Sequence, residues 1–329
     1  MKVVITGGGG FIGRKLAAKL LQRGTLAGVD GSQQSIDELV LFDVVAPPAD
    51  ETGDGRIKVV TGDLTDRDLI AGLVDADTAS VFHLAAVVSA GAEADFDLGY
   101  KVNLDGTRLV LDACRALPHA PRLVFASSIA VYGGREIPDM VEDATPLMPQ
   151  TSYGTQKVIG ELLVNDYSRK GYIDGRAMRL PTIVVRPGKP NKAASGFASS
   201  IVREPLNGID FECPVRPESE MAVMSPRAVV DAFVHMHDLD AEGLGDSRAL
   251  LLPGLRVSQA ESVAAVGRVA GDRKVGRIDF KIDPDIQAIV DGWPKGTHSA
   301  RAEALGFKGD TNMDDIVRAH IEDELSPPA

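Results

Sequence analysis

In the stretch TSYGTQK (151–157) a tyrosine, Tyr153, stands four residues ahead of a lysine, Lys157. Residues four apart on a helix share a face, so the ammonium can reach the region of the phenol. A free phenol has a pKa near ~10 and is a poor base at neutral pH. A cation within about 4–6 Å favours its ionised form. The pair is therefore a candidate general base with its activator. Of the five tyrosines, only Tyr153 has lysine at that spacing. Two surface residues of a helix would show the same spacing, so the chemistry needs a cofactor and a partner hydroxyl before it means anything.

A place for a cofactor lies at the N-terminus. In TGGGGFIG (6–13) the glycines Gly7, Gly10 and Gly13 follow an apolar run and precede a helical pattern that opens with Phe11 and Ile12. Glycine there permits a tight turn, close approach of a pyrophosphate and close packing of helix on strand. The helix N-terminus offers free N–H groups and a partial positive charge to phosphate. An acid at the end of the second strand would accept hydrogen bonds from the adenosine ribose. Asp30 stands near the usual count, but GVDGSQQS around it reads as a loop. Asp43 ends the strand pattern ELVLFD and is the choice, with residues 24–37 as a lengthened connection. A carboxylate there repels a 2′-phosphate and favours NAD over NADP.

The elements that must hold these groups are legible as apolar runs alternating with helical patterns. Strands are expected at 2–6, 38–42, 56–63, 80–85, 122–128 and 176–185, and helices near 11–23, 95–116 and 152–170. Such alternation means a parallel sheet covered on both faces, wound right-handed into a doubly wound α/β (Rossmann) fold. Beyond Val185 the Pro- and Gly-rich VRPGKPNKAASG (185–196) reads as a loop. Residues 197–225 look like a small separate unit. Helical patterns follow at 228–239, 258–271 and 312–325, and RALLLPG (248–254) looks like a strand returning to the sheet. The expected division is a NAD-binding domain over 1–185, with 226–256 returning to it. A smaller discontinuous substrate lobe would comprise 186–225 and 257–329.

Composition narrows the classes. The chain has 329 residues, 44% apolar, and a net charge of −12. Nucleic-acid binding needs a basic face and is not expected. No apolar run reaches membrane-spanning length. Two cysteines without a CxxC pattern fit a reduced, cytoplasmic setting. His235 and His237 are two apart on a helix and point to different faces, so no metal is expected. His83, in an apolar strand, reads as core. No HExxH, Walker loop or nucleophile elbow is present.

Together TGGGGFIG (6–13), GDLTD (62–66), HLAA (83–86), Asn103 in YKVNLDGT, SSIAVYG (127–133) and YGTQK (153–157) resemble the extended short-chain dehydrogenase/reductase family. That group contains the NAD-dependent epimerases and dehydratases. The motifs occur in family order over about the first 190 residues. The resemblance implies that Asp63 and Leu64 flank adenine and that Leu84, Ala85 and Ala86 line the cofactor. It further implies Ser128 as the catalytic serine, Tyr153 as the base, Lys157 as its partner and Asn103 as a support of the active-site helices. Pro181, Thr182 and Ile183 would lie near the nicotinamide. A narrower likeness within the family, in LLQRGTLAGVDG (20–31), LFDVVAP (41–47) and RPGKPNKAASGF (186–197), implies NAD-linked oxidation of a four-carbon sugar acid to its 2-keto form. The family also implies a homodimer through a helix pair, although apolar positions on those helices could equally be core.

A carboxylate substrate should meet cations or donors. Arg186, Lys189 and Lys192 cluster after the sixth strand, with Asn191 and Ser195 beside them. Ser89, Ser128, Tyr153 and Thr182 are further candidate substrate contacts. A solvated basic loop and a turn serine would look the same. Other readings of the same machinery are a nucleotide-sugar epimerase, an L-threonine-type dehydrogenase and a non-catalytic NAD-binding protein. A dehydratase would place an acidic pair where this chain has Ile129 and Ala130.

Overall fold

The computed structural model describes residues 1–188 and 194–325. Contact clustering divides the chain into two compact units. The first comprises residues 1–131, 151–179 and 230–250, and the second comprises 132–150, 180–229 and 251–329.

The first unit is organised by a sheet of strands β1 (Lys2–Thr6), β2 (Glu38–Asp43), β3 (Ile57–Thr61), β4 (Thr78–His83), β5 (Arg122–Ser128), β6 (Asp174–Leu180) and β7 (Ala249–Leu251). Its spatial order is β7-β6-β5-β4-β1-β2-β3, with β1 as the crossover point. The β1–β2, β1–β4, β2–β3 and β4–β5 pairs are parallel. This is the doubly wound parallel sheet expected from the sequence. The apolar run KVVIT is buried along its whole length, as a strand covered on both faces must be. Its main helices are α1 (Phe11–Arg23), α2 (Arg67–Leu73), α3 (Ser89–Ala94), α4 (Phe96–Tyr100), α5 (Thr107–Arg115), α6 (Ser152–Arg169) and α7 (Pro226–Asp238). Leu16, Ala17 and Leu20 turn one face of α1 inward, and Gly24, at φ 74°, ends it in the left-handed conformation. Val4, Val40, Leu64, Val81, Leu111, Leu123, Phe125 and Val164 join in one core.

Three local readings are corrected. The run 176–185 is not one strand. It breaks at Pro181, and Thr182–Ile183 pairs instead with Glu220–Met224 in a second sheet. Proline has no N–H to continue a ladder. The helix expected over 95–116 is interrupted by a π-helical turn, Lys101–Gly106, between α4 and α5. The connection 24–37 carries a hairpin, with Thr25–Ala27 antiparallel to Gln33–Ser35.

The second unit contains a three-stranded sheet in which Glu220–Met224 lies between Thr182–Ile183 and Leu255–Ser258. Its core gathers Val184, Phe197, Ile201, Met221, Val223, Val257, Val266, Ile316 and Val317. Trp293 packs against that core. Residues 132–150 and 180–185, expected with the first 185 residues, cluster here instead. No helix among the described residues is long and apolar enough to cross a membrane.

Candidate active site

The glycine loop is built by close backbone approach. Gly7 sits at φ 75°, where a side chain is strained, and a Cβ on it would come within 2.8 Å of the Ala85 nitrogen. A Cβ on Gly13 would meet the Gly7 carbonyl oxygen at 2.2 Å, so α1 is seated directly on the loop. Gly10 is exposed and caps α1 without any side-chain hydrogen bond, and α1 has no acid in its first turn. The first-turn N–H groups therefore keep their capacity for an anion. Phe11 and Ile12, both partly exposed, begin the helix beside it.

Asp43, not Asp30, stands at this loop. Its carboxylate accepts from the Gly9 N–H at 3.1 Å and from Val45 N–H at 3.4 Å. Asp30 lies in the inserted hairpin, where it accepts from the Ser32 amide and hydroxyl at 3.0 and 2.7 Å. Those bonds hold its carboxyl below the usual range. The strand-end residues Leu84, Ala85 and Ala86 are half-buried beyond β4. Leu84 and Ala85 donate their amides to the Thr6 carbonyl (3.0 Å) and hydroxyl (3.4 Å). Leu64 is buried, whereas the Asp63 carboxylate is taken up by the Thr65 amide at 2.9 Å and hydroxyl at 2.8 Å.

The Tyr153–Lys157 pair lies on the first turns of α6, which the Thr151 hydroxyl caps by accepting the Gly154 N–H at 3.0 Å. Lys157 is almost wholly buried. Its Nζ donates to the Ala126 carbonyl oxygen at 2.7 Å and lies 5.4 Å from the centre of the Tyr153 ring and 4.6 Å from that of Phe125. Burial pulls its pKa down to about 7, opposed by the Glu161 carboxylate. Ser128 ends β5, the strand that supplies the Ala126 carbonyl, and its Oγ accepts the Ala130 N–H at 3.1 Å. That bond leaves the hydroxyl proton to be donated. His83, buried, sits between the hydroxyls of Thr6 (2.6 Å) and Thr107 (2.9 Å) and tilts over the Phe125 ring. Burial, then Lys157, drives its pKa to about 3, so the imidazole is neutral at physiological pH.

Asn103 occupies the π-helical turn and is buried. Its side chain accepts the Val87 N–H at 2.7 Å and donates to the Val87 carbonyl at 2.9 Å and to Gln156 Oε1 at 2.7 Å. It thereby ties the chain after β4 to α6. Ser89 begins α3, whose Glu93 accepts the N–H of Ser152 at 3.0 Å.

The remaining candidates belong to the second unit. Pro181 is buried, and Thr182 and Ile183 form a short strand. Arg186 donates to the Ile183 carbonyl at 3.2 Å and to Ser195 Oγ at 3.0 Å, so its guanidinium is engaged within its own loop. Lys189, Asn191 and Lys192 lie outside the described residues.

Sequence reasoning missed four side chains around Lys157. Gln156 is fully buried against Asn103, with Nε2 lacking a hydrogen-bond partner. One turn further along α6, buried Glu161 meets buried Ser127 and the partly buried Arg179. The signal for Glu161 was present, since it extends the Tyr153–Lys157 spacing by another four residues.

Comparison with known proteins shows the family. The profile of the NAD dependent epimerase/dehydratase family matches residues 3–245. A D-erythronate dehydrogenase of Cupriavidus necator is 53% identical over 98% of this chain and 98% of its own length. One from Haemophilus influenzae is 43% identical over 99% of this chain and 100% of its own. A crystal structure described as a nucleoside-diphosphate-sugar epimerase from Agrobacterium tumefaciens superposes with a TM-score of 0.91 at 42% identity, covering 99% of this chain and 94% of that one. With an N-terminal glycine loop, a strand-end serine and the Tyr–Lys helix all in place, the chain belongs to the NAD dependent epimerase/dehydratase family.

Proposed function

We propose that this chain is an NAD-dependent dehydrogenase that oxidises a small 2-hydroxy sugar acid, D-erythronate, to 2-dehydro-D-erythronate. The observation that carries the substrate is the 53% identity to a D-erythronate dehydrogenase over nearly the full length of both chains. The first unit would hold the cofactor. NAD, when bound, supplies the hydride acceptor. The uncapped amides at the start of α1 fit its pyrophosphate and the Asp43 carboxylate fits its adenosine ribose.

In the proposed reaction Ser128 donates to the C2 hydroxyl oxygen and Tyr153, as phenolate, removes the hydroxyl proton. The Lys157 ammonium favours that phenolate. One of its donors is spent on Ala126, leaving two for the nicotinamide ribose and for passing the proton outward. Asn103 holds the helix that carries the pair, through Gln156. Asp63, Leu64, Leu84, Ala85 and Ala86 would line the adenine and ribose, and Pro181 and Ile183 the nicotinamide. Arg186, Ser195, Thr182 and Ser89 would meet the substrate carboxylate and hydroxyls. We assign the first unit to NAD and the second to substrate. The exposed Leu162 on α6 supports a homodimer through a helix pair that includes α6. Two buried free thiols support a cytoplasmic setting.

The test is NAD reduction by purified protein with D-erythronate, other aldonates, L-threonine and nucleotide sugars. Stoichiometric NADH from D-erythronate supports the proposal. Conversion of a nucleotide sugar with no net NADH would replace it by the epimerase reading, which the name of the Agrobacterium structure favours.

A further inference from the structure

Helix α6 presents Tyr153, Lys157 and Glu161 at successive turns. Glu161 is 5% exposed. Its carboxylate accepts the Ser127 hydroxyl at 2.5 Å and is clamped by Arg179, through Nε at 3.0 and 3.1 Å and Nη2 at 2.8 Å. Ser127 is the residue before Ser128, and Arg179 lies near the carboxyl end of β6. A buried carboxylate is costly unless paired, and an apolar filling of the same space is commonly as stable. An ion pair set one turn from a buried lysine therefore calls for a reason other than packing.

The charges around Lys157 are few. Its own helix brings Tyr153 and Glu161. From β4 comes His83, which stays neutral at physiological pH. From β5 come the Ala126 carbonyl and the Phe125 ring. Arg179 on β6 is spent on Glu161. On α3, Glu93 is bonded to the start of α6, the π-helical turn contributes uncharged Asn103, and Asp112 on α5 accepts from Tyr167 at 2.7 Å.

We infer that Glu161 is a positioning residue, which keeps the Lys157 amine protonated in the working enzyme and holds Ser128 in register with Tyr153. The inference rests on the roles proposed above for Tyr153 and Lys157. Burial lowers the Lys157 pKa and the Glu161 carboxylate opposes that fall, the two together leaving it at about 7. The Ser127 bond fastens the strand carrying the serine to the helix carrying the base.

The test uses the full chain and four variants. Glu161→Gln removes the charge, and Glu161→Asp keeps it. Glu161→Gln combined with Arg179→Met removes both ions, so that no unpaired guanidinium is left buried. Ser127→Ala removes only the register bond. In pH profiles of kcat, the alkaline limb of Glu161→Gln and of the double variant should move down by about one unit. That of Glu161→Asp should return toward the parent, and Ser127→Ala should lose kcat several-fold without moving the limb. The cofactor-free protein gives a second readout. Lys157 has its pKa near 7 when folded and near 10.5 when unfolded. The unfolded chain thus binds more protons between those values, and stability rises with pH across that window. The onset of the rise should move to lower pH in Glu161→Gln and in the double variant. An unmoved limb and an unmoved onset in both would overturn the inference, while a Tyr153→Phe variant that still turns over would overturn the dehydrogenase reading instead.

Discussion

At the amino ends of the sheet strands, Arg176 is fully buried and donates to the main-chain carbonyls of Met236, at 3.0 Å, and His237, and to the Asp174 carboxylate. Arg122 adds a bond to the His237 carbonyl at 2.7 Å, and Arg248 reaches Asp174 at 3.3 Å. His237 places Nε2 2.8 Å from Ser80 Oγ and Nδ1 3.0 Å from Asp238. Arg176 and Arg122 neutralise the carbonyl end of α7. At the carboxyl ends, the first turn of α1 has no side-chain cap, and the buried Lys157 amine donates to the Ala126 carbonyl. The amino end spends its cations on the chain's own carbonyls and carboxylates, whereas the carboxyl end keeps the first-turn amides of α1 without a side-chain cap. Substitutions at the amino end should therefore act on stability, and those at the carboxyl end on turnover.

That contrast can be broken at either end. Tyr153→Phe should lower kcat by about 10³-fold, the span of a general base, while NAD binding measured by calorimetry stays close to the parent. Turnover near normal would remove the phenol from the chemistry. Arg176→Met should cost about 3 kcal/mol in urea unfolding, because it leaves Asp174 and the helix-end carbonyls short of donors. KM and kcat should hardly change. A loss of turnover without loss of stability would erase the division between the two ends.

A smaller effect concerns His83, which is buried at the carboxyl end but engaged only with hydroxyls. Its folded pKa is about 3 against an ordinary 6.5. The unfolded chain binds more protons between those values. The stability linked to His83 is thus complete above pH 6.5 and is lost as pH falls toward 3. Acid titration of the unfolding free energy should show this slope, and His83→Asn should flatten it. An unchanged slope would assign acid sensitivity to carboxylates instead.

Much of the fold was legible because its elements are locally self-consistent. The run Lys2–Thr6 is apolar at its three central residues, Val3, Val4 and Ile5, and reads as a covered strand. The glycines that follow can only be a close backbone approach, and the periodic leucines and alanine of α1 mark one buried face. Tyr153 and Lys157 were legible because their spacing equals a helical turn. Pro181 was a visible stop that the apolar run around it concealed. The π-helical turn was not legible: Lys101–Gly106 carries no composition that separates it from an α-helix, and only the bonds of Asn103 to Val87 and Gln156 show what it does.

The order of strands and helices, the cofactor loop and the Tyr–Lys pair were set by the sequence alone, since each depends on periodicity and on neighbours a few residues away. The Glu161–Arg179–Ser127 cluster one turn from Lys157 and the Arg176 cap on α7 were decided only by tertiary structure. These contacts join residues that lie between 18 and 61 positions apart for Glu161–Arg179 and Arg176–His237. Their energies come from burial and charge in an interior that forms only when the whole sheet closes.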